Sequence, residues 1–564
     1  MAEEVFITID GKPVQLPAGC TVAAAVCMAT GGVSRQSASG QSRGPICGMG
    51  ICFECRVEID GKQQCRSCQT PARAGTEIVT GASERVAPRQ GDLQVPGDQT
   101  PSPSYSGERA GVRGRASNGS VLPSTVVGFF SGPASTHPTE EYPRRNASEH
   151  AFDVIVIGAG PAGLAAACCA SESGRRVAVI DDNPAAGGQI WRAQEDHPST
   201  ADASQWFDRV RKCDFALFPG TQIIGAISPG KLLAEAGGEA RVFTCDRLIL
   251  AAGARELFLP FPGWTLPNVM GAGGLQAMVK SGLPIEGKRV VVAGSGPLLL
   301  AVAAYLRERG ADVRLIAEQA PRKNLARFGL GLLRHPGKFR QAVSLRRELR
   351  GIRYASGCWP IMAAGEGRLA SVTLSDGRTD WTEHCDYLAC GFGLVPNTDL
   401  AALLGCTIVA GAVHVDDSQE TSVPRVYAAG EITGVGGLDL SLLEGQIAGY
   451  AAADRPGTTR ALFRARGKAR AFARRLGQTF ALREELRALP RAGTIVCRCE
   501  DVTFERLAGH SSWLAAKLQT RCGMGPCQGR VCGPAVEALF GWERQSIRPP
   551  IFPADVQSLI DVYR

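Results

Sequence analysis

A chain of 564 residues, at about 150 residues per domain, holds three to four folded units, and its 68 glycines, 34 prolines and 6% aromatic residues suit glycine-turn α/β units plus an irregular piece. The net charge of +8 gathers in blocks such as Arg464–Lys468 and Arg474–Arg475 with no interleaved aromatics and no reading motif, which points to solvated helix faces and excludes a nucleic-acid partner. MAEEVF lacks a signal-peptide pattern, and no charge-free apolar run reaches about 18 residues, so nothing is expected to span a membrane, any membrane association would be peripheral, and a cytoplasmic location follows.

In such a chain, 20 cysteines read as metal ligands or buried thiols rather than disulfides, and ten of them fall in two clusters at opposite ends. Val5–Ile9 predicts a strand, Asp10-Gly11 a hairpin turn and Val14–Leu16 the returning strand, with Thr21 capping a short helix over Val22–Met28. Cys47, Cys52 and Cys55 then follow the C-x4-C-x2-C spacing of a plant-type [2Fe–2S] loop, which a distant fourth cysteine completes. Gly48 and Gly50 let that loop wrap and aim its amides at sulfur. On spacing alone Cys65 and Cys68 both qualify as the fourth ligand. Zinc is the rival occupant, disfavoured by the spacing and the glycines. Cys20 and Cys27 have no partner spacing and read as core. The segment resembles the small ferredoxin-like subunits of amine- and opine-oxidising enzymes, whose last ligand precedes Thr-Pro. That resemblance implies a β-grasp ferredoxin-like domain over 1–82 and selects Cys68, which stands before Gln69-Thr70-Pro71.

Residues 83–150 are rich in Pro, Ser, Gly, Thr and Arg without a sustained period and read as a disordered linker, with Val126–Phe130 its one apolar patch. From Ala151 the pattern sharpens. Val154–Ile157 is an apolar strand leading into Gly158-Ala159-Gly160-Pro161-Ala162-Gly163, an alanine-rich helix follows, and a second strand over Arg176–Ile180 ends on Asp181 and Asp182. Strand, glycine turn, helix, strand and acid form a dinucleotide-binding unit: Gly158 permits the turn, Gly160 admits a pyrophosphate, Gly163 lets helix and strand pack, and the helix start faces the phosphates. Gly188 and Gln189 belong to a second glycine turn suited to close ligand approach. Ala252 and Gly253 end the strand Arg247–Leu250, at a junction that resembles the one following the nucleotide site in two-domain flavoproteins.

Arg289–Glu318 repeats the pattern, with Gly294 and Gly296 in place but Leu299 where the third glycine belongs, a change expected to force helix and strand apart or alter the turn. This unit is read two ways, as a site for a second nucleotide, NAD(P) or ATP, with Glu318 as the ribose acid, or as a retained scaffold. Val426–Ala429 runs into Gly430 and Glu431, and a helix opens over Gly434–Ala448. In two-domain flavoproteins this place holds a Gly-Asp whose acid binds the ribityl chain of FAD; here the acid is one carbon longer. No cysteine lies in Asn183–Trp191 and only Cys358 in 286–381, so the redox pairs of disulfide reductases are missing. The adjacent Cys168 and Cys169 read as core. The expected boundaries are 151–285 and 382–455 for the FAD-binding domain, 286–381 for the second unit, 456–492 for a helical connector, 493–541 for a small cysteine module and 542–564 for a tail.

In that module Cys497 and Cys499 form C-x-C, and Cys522, Cys527 and Cys532 follow, leaving Cys522/Cys527 and Cys527/Cys532 open as the second pair. The stretch resembles the helical bacterioferritin-associated-ferredoxin-like [2Fe–2S] module of glycerol-3-phosphate dehydrogenase and amine oxidoreductase subunits. The resemblance implies Cys497, Cys499, Cys527 and Cys532 as ligands, with Cys522 left out.

Apart from the linker, the chain resembles the flavin and iron–sulfur subunits of the opine oxidase, hydrogen cyanide synthase and hydroxyproline or proline dehydrogenase group, with a normally separate ferredoxin-like subunit fused at its head. The resemblance implies FAD, two [2Fe–2S] clusters, a D-amino-acid-oxidase-like FAD partner subunit, an amine, opine or imino-acid substrate, and a quinone or other carrier as acceptor. The rival readings are a self-sufficient NAD(P)H-dependent oxidoreductase and a non-enzymatic iron–sulfur sensor. The seven histidines (137, 150, 197, 335, 384, 414 and 510) form no constellation, so no catalytic base is named.

Overall fold

The computed structural model describes residues 4–81, 147–192, 201–544 and 547–563. The amino-terminal unit opens with β1 (Glu4–Ile9) and β2 (Lys12–Pro17), joined by Asp10 and Gly11 at φ 48° and 75°, the left-handed pair that a two-residue hairpin turn requires. Helix α1 (Val22–Thr30) follows, with Thr21 Oγ1 accepting from Ala24 N at 3.4 Å. β3 (Arg56–Ile59), β4 (Lys62–Arg66) and β5 (Glu77–Val79) complete a sheet of order β2-β1-β5-β3-β4. Val22, Ala25 and Val26 of α1 pack on Ile7, Leu16, Val57 and Ile78 of this sheet. Ala23, Ala24 and Cys27, on the opposite face, pack on Met270, Leu275 and Met278 of the body, so this unit is docked through a shared core.

The body's first sheet is built on β6 (Ser148–Ile157), followed by α2 (Pro161–Glu172) and β7 (Val177–Ile180). β8 (Ala216–Phe218), β9 (Gln222–Ser228), β10 (Lys231–Ala236) and β11 (Glu239–Leu250) complete the order β8-β7-β6-β11-β10-β9. β6 begins at Ser148, ahead of the predicted apolar run and inside the expected linker. The extension pairs with β11 from Ser148↔Arg241 onward, and His150 stacks on Phe243 at 5.1 Å. Most of the expected linker, including Val126–Phe130, lies outside the described residues.

The second dinucleotide-type unit carries β12 (Val269–Gly271), α3 (Ala272–Lys280), β13 (Arg289–Gly294), α4 (Leu298–Glu308), β14 (Asp312–Glu318), β15 (Arg353–Ser356) and β16 (Tyr387–Gly391), in the all-parallel order β12-β16-β13-β14-β15. Leu299 does not splay this unit. It is buried beside Gly391, where a Cβ would lie 3.0 Å from its Cδ2, so a small residue on the neighbouring strand makes the room.

β17 (Val426–Ala428) returns the chain to β11, and α5 (Leu438–Ala452) packs along α2. Helix α6 (Arg460–Thr479) occupies the connector. The cysteine module follows, with α7 (Trp513–Thr520) and α8 (Cys532–Phe540) around Val496, Val502, Leu507, Trp513 and Val536. The expected tail holds helix α9 (Val556–Tyr563), whose Leu559 packs with Val562 on Ile224, Leu233 and Val242 of the first sheet. No described helix is long and apolar enough to cross a membrane.

Candidate functional site

The predicted glycine turn opens a cleft of about 1360 Å³, its mouth included, at the carboxyl ends of β6 and β7. Gly158, Gly160, Pro161, Ala162, Asp181, Asp182, Gly188, Gln189, Ala252, Gly253 and Glu431 line it. Gly163 and Gly430 stand behind the lining. A Cβ on Gly163 would fall 1.8 Å from Gly158 O, so only glycine lets α2 rest on the turn. A Cβ on Gly160 would meet nothing closer than Gly188 Cα at 3.9 Å, which leaves the space above the helix start open for a phosphate.

Asp181 braces this turn. It accepts from Ala159 N and from Asn183 N, the latter at 2.7 Å, and burial, with the neighbouring Asp182 charge, pushes its carboxyl up to about 6. Asp182, half-buried, faces the cleft and pairs with Arg66 at 3.3 Å. Gln189 Oε1 is buried in the same cleft without a hydrogen-bond partner, an acceptor waiting for a donor. Burial raises the Glu431 carboxyl above its ordinary range, opposed by the Gly437 N–H at the start of α5. An open helix terminus, an unmet acceptor and carboxylates at the ends of the strands suit a dinucleotide such as FAD.

Sequence reasoning missed part of this lining. Met49 and Ile51, from the first cysteine loop, and Arg530, Ile551 and Phe552, from the carboxyl-terminal region, also reach the cleft. Arg530 is buried 3.2 Å from Asp399 and lies over the Phe552 ring at 3.8 Å. Its place within Cys527-Gln528-Gly529-Arg530 carried no signal of this role.

In the first loop Cys47, Cys52, Cys55 and Cys68 are all buried. Cys47 and Cys52 Sγ lie 3.2 Å apart, and the Cys68 thiol donates to Cys55, holding the latter below its ordinary value. Backbone N–H groups of Met49 and Cys52 reach Cys47 Sγ, each at 3.4 Å, and Gly50 N reaches Cys68 Sγ at 3.1 Å. Two sulfur pairs, Cys47 with Cys52 and Cys55 with Cys68, and amides aimed at Cys47 and Cys68 suit an anionic [2Fe–2S] cluster. Cys65, on β4, is turned away and donates to Lys62 O at 3.3 Å.

At the other end five sulfurs form one group. Cys497, Cys522 and Cys532 lie within 4.8 Å of one another, Cys499 and Cys527 are 3.5 Å apart, and Cys497 lies against Cys499. The four ligands implied by the resemblance are together, and Cys522 stands among them. Cys168 and Cys169 are buried in α2, the former against Cys213 and the latter against Arg209.

Residues 152–457 match the pyridine nucleotide-disulphide oxidoreductase family, and residues 2–83 match a 2Fe-2S iron-sulfur cluster binding domain. The chain belongs to that family. It is 32% identical over 453 residues to the hydrogen cyanide synthase subunit HcnB of Pseudomonas protegens, covering 71% of this chain and 95% of the relative. It is also 32% identical over 461 residues to an opine oxidase subunit of Rhizobium meliloti, covering 73% and 99%. With these it forms the group whose FAD-binding body is here fused to a ferredoxin-like domain. The L-proline dehydrogenase from P. horikoshii shares the fold, with a TM-score of 0.63 at 16% identity over 100% of this chain and 98% of that one. The family member described here is a flavin-dependent, iron–sulfur oxidoreductase.

The glycine turn of the second dinucleotide-type unit, at Gly294 and Gly296, is covered by the chain itself. Glu318, expected as a ribose acid, is 1% exposed and accepts from Gly296 N at 2.7 Å and Ala320 N at 2.8 Å. Ser295 Oγ donates to Phe480 O at 2.9 Å, and Gln319 Nε2 donates to Ala481 O at 3.1 Å. The Phe480 ring stands 3.9 Å from where a Gly296 Cβ would be.

Proposed function

We propose that this chain is the FAD and iron–sulfur electron-transfer subunit of a multi-subunit dehydrogenase that oxidises a C–N bond in an amine, opine or imino acid. One observation carries the reading: the FAD-type cleft is lined at once by Met49 and Ile51 of one cysteine loop and by Arg530 of the other. FAD, when bound, supplies the conversion between a two-electron donor and one-electron carriers. The glycine turn and the start of α2 hold its pyrophosphate, Asp182 and Glu431 offer acceptors for its sugar hydroxyls, and Gln189 offers a further acceptor. Cys47, Cys52, Cys55 and Cys68 hold one [2Fe–2S] cluster, and Cys497, Cys499, Cys527 and Cys532 hold a second. Substrate chemistry sits on a D-amino-acid-oxidase-like FAD partner, and the acceptor is a quinone or another carrier. The reading gains support from the names of the relatives, which are subunits of an opine oxidase and a hydrogen cyanide synthase. The contacts of Phe480 and Ala481 across the turn at Gly294 and Gly296 weigh against a self-sufficient NAD(P)H enzyme.

Copurification tests this directly. Tagged chain expressed in its native host should bring down a second flavoprotein, and the pair should reduce a dye with an amine, opine or imino-acid donor. Rapid anaerobic bleaching of the isolated chain's flavin by NADH or NADPH, with no amine-dependent activity in any complex, would replace this reading with the nicotinamide one.

A further inference from the structure

The two cysteine sites are joined by a buried ion pair whose members are threaded between their ligands. Glu54 stands between Cys52 and Cys55, and Arg498 between Cys497 and Cys499. Arg498 Nε lies 2.8 Å from Glu54 Oε1, and both side chains are 1% exposed. The Glu54 backbone N–H donates to Cys52 Sγ at 3.5 Å, while Arg498 is bonded through the main chain to both Cys497 and Cys499. One glutamate and one arginine therefore span from the first sulfur group to the second.

The pair is held on every side. Arg35 takes the other Glu54 oxygen at 2.8 Å and donates to Arg498 O at 3.2 Å. Arg498 donates to Trp264 O at 3.3 Å and lies over the Trp264 ring at 5.1 Å. A second tie runs alongside, in which Asp501 accepts from Arg43 at 2.8 Å and from Ser39 N at 2.9 Å. A buried ion pair is a poor route to stability, since apolar residues of the same volume serve as well or better. What a fully bonded pair of this kind supplies is a fixed geometry between the two loops.

Resting on the two-cluster reading above, we infer that Glu54 and Arg498 are positioning residues that set the two [2Fe–2S] clusters side by side, so that an electron passes directly from one to the other. The step moves one electron: the donor cluster is oxidised by one, the acceptor cluster is reduced by one, and no proton or bond changes place.

Electron paramagnetic resonance of the full chain, reduced with dithionite, reads this geometry without turnover. With about four iron and four sulfide per chain, the fully reduced protein should show two paramagnetic centres split or broadened by each other, an effect absent when only one is reduced. A fully reduced spectrum equal to the sum of two isolated centres, at the same iron content, overturns the inference and leaves the two-cluster reading standing. Iron near two per chain removes the two-cluster reading itself. Because Arg498→Met alone leaves the buried Glu54 carboxylate with one arginine partner, Arg35, instead of two, the informative variant is Glu54→Gln combined with Arg498→Met. It should keep its iron and lose most of the splitting. A variant with full iron and unchanged splitting shows that the pair does not set the spacing and overturns its assigned role.

Discussion

The backbone N–H of Gly50 donates to Cys68 Sγ at 3.1 Å, across 18 residues of sequence. Gly50 holds the left-handed conformation, φ 77°, that L side chains rarely adopt, so the residue that aims this amide favours glycine. Cys65 is met instead by the Ile59 backbone N–H of the neighbouring strand and donates to Lys62 O at 3.3 Å, away from the loop amides. We expect Cys68→Ser to lose the amino-terminal cluster, lowering iron from about four to about two per chain, while Cys65→Ser keeps it. Iron analysis with visible absorption decides, and the reverse pattern would move the fourth ligand to Cys65.

Cys522 poses the same question at the other end. It lies within 4.8 Å of Cys497 and Cys532, yet a binuclear cluster takes four thiolates and five are present. With Cys497, Cys499, Cys527 and Cys532 as the ligands, Cys522→Ser should retain its iron and its reduced-state spectrum, and Cys527→Ser should drop to about two iron per chain. Iron lost in Cys522→Ser but kept in Cys532→Ser would exchange the two residues' roles.

Both thiolate loops and the first glycine turn were legible because their chemistry is local: the spacing of Cys47, Cys52 and Cys55, and of Gly158, Gly160 and Gly163, is fixed within a few residues. Choosing Cys68 took a family comparison, since its contact with Gly50 depends on how the loop folds back. Glu54 and Arg498 meet across 444 residues, and nothing near either one announces the other. Leu299 misled for the same reason, because the space that accommodates it belongs to Gly391 on another strand. The tail hid Phe552 and Ile551, which reach the cleft where Ile551 N donates to Ile224 O of the first sheet at 2.8 Å.

Buried carboxyls give the protein a pH-dependent stability. Burial raises Glu318 to about 7, despite opposing hydrogen bonds from Ala320 N and Gly296 N. An unfolded glutamate ionises near 4.3, so the folded state holds this proton more tightly; the resulting stabilisation is complete below the unfolded value and is lost as pH rises through about 7. The loss is on the order of 3 kcal/mol. Glu256, 4% exposed and also raised to about 7 by burial, acts in the same direction. The thermal midpoint should therefore fall between about pH 5 and pH 8, and Glu318→Gln should flatten part of that fall. Circular dichroism melts at the two pH values measure it, and an unchanged slope in the variant would show that Glu318 is ionised in the folded protein.

Gly160 and Gly163 do different work within one turn, and alanine separates them. At Gly163 an added Cβ would stand 1.8 Å from Gly158 O, a backbone atom that cannot step aside without moving the strand. Gly163→Ala should destabilise the body by about 1–3 kcal/mol, the usual cost of overpacking, and lose flavin as a consequence. At Gly160 the backbone is extended, with φ −76°, and the nearest atom to an added Cβ is 3.9 Å away. Gly160→Ala should leave the flavin-free protein's melting temperature nearly unchanged, since the methyl meets no protein atom. It occupies the space kept for the pyrophosphate, so flavin affinity should fall at least about tenfold, or about 1.4 kcal/mol. Titration of flavin-free protein with FAD, paired with melts of the same samples, separates the two effects. Equal flavin affinity in Gly160→Ala and the unaltered chain would place the pyrophosphate elsewhere in the cleft.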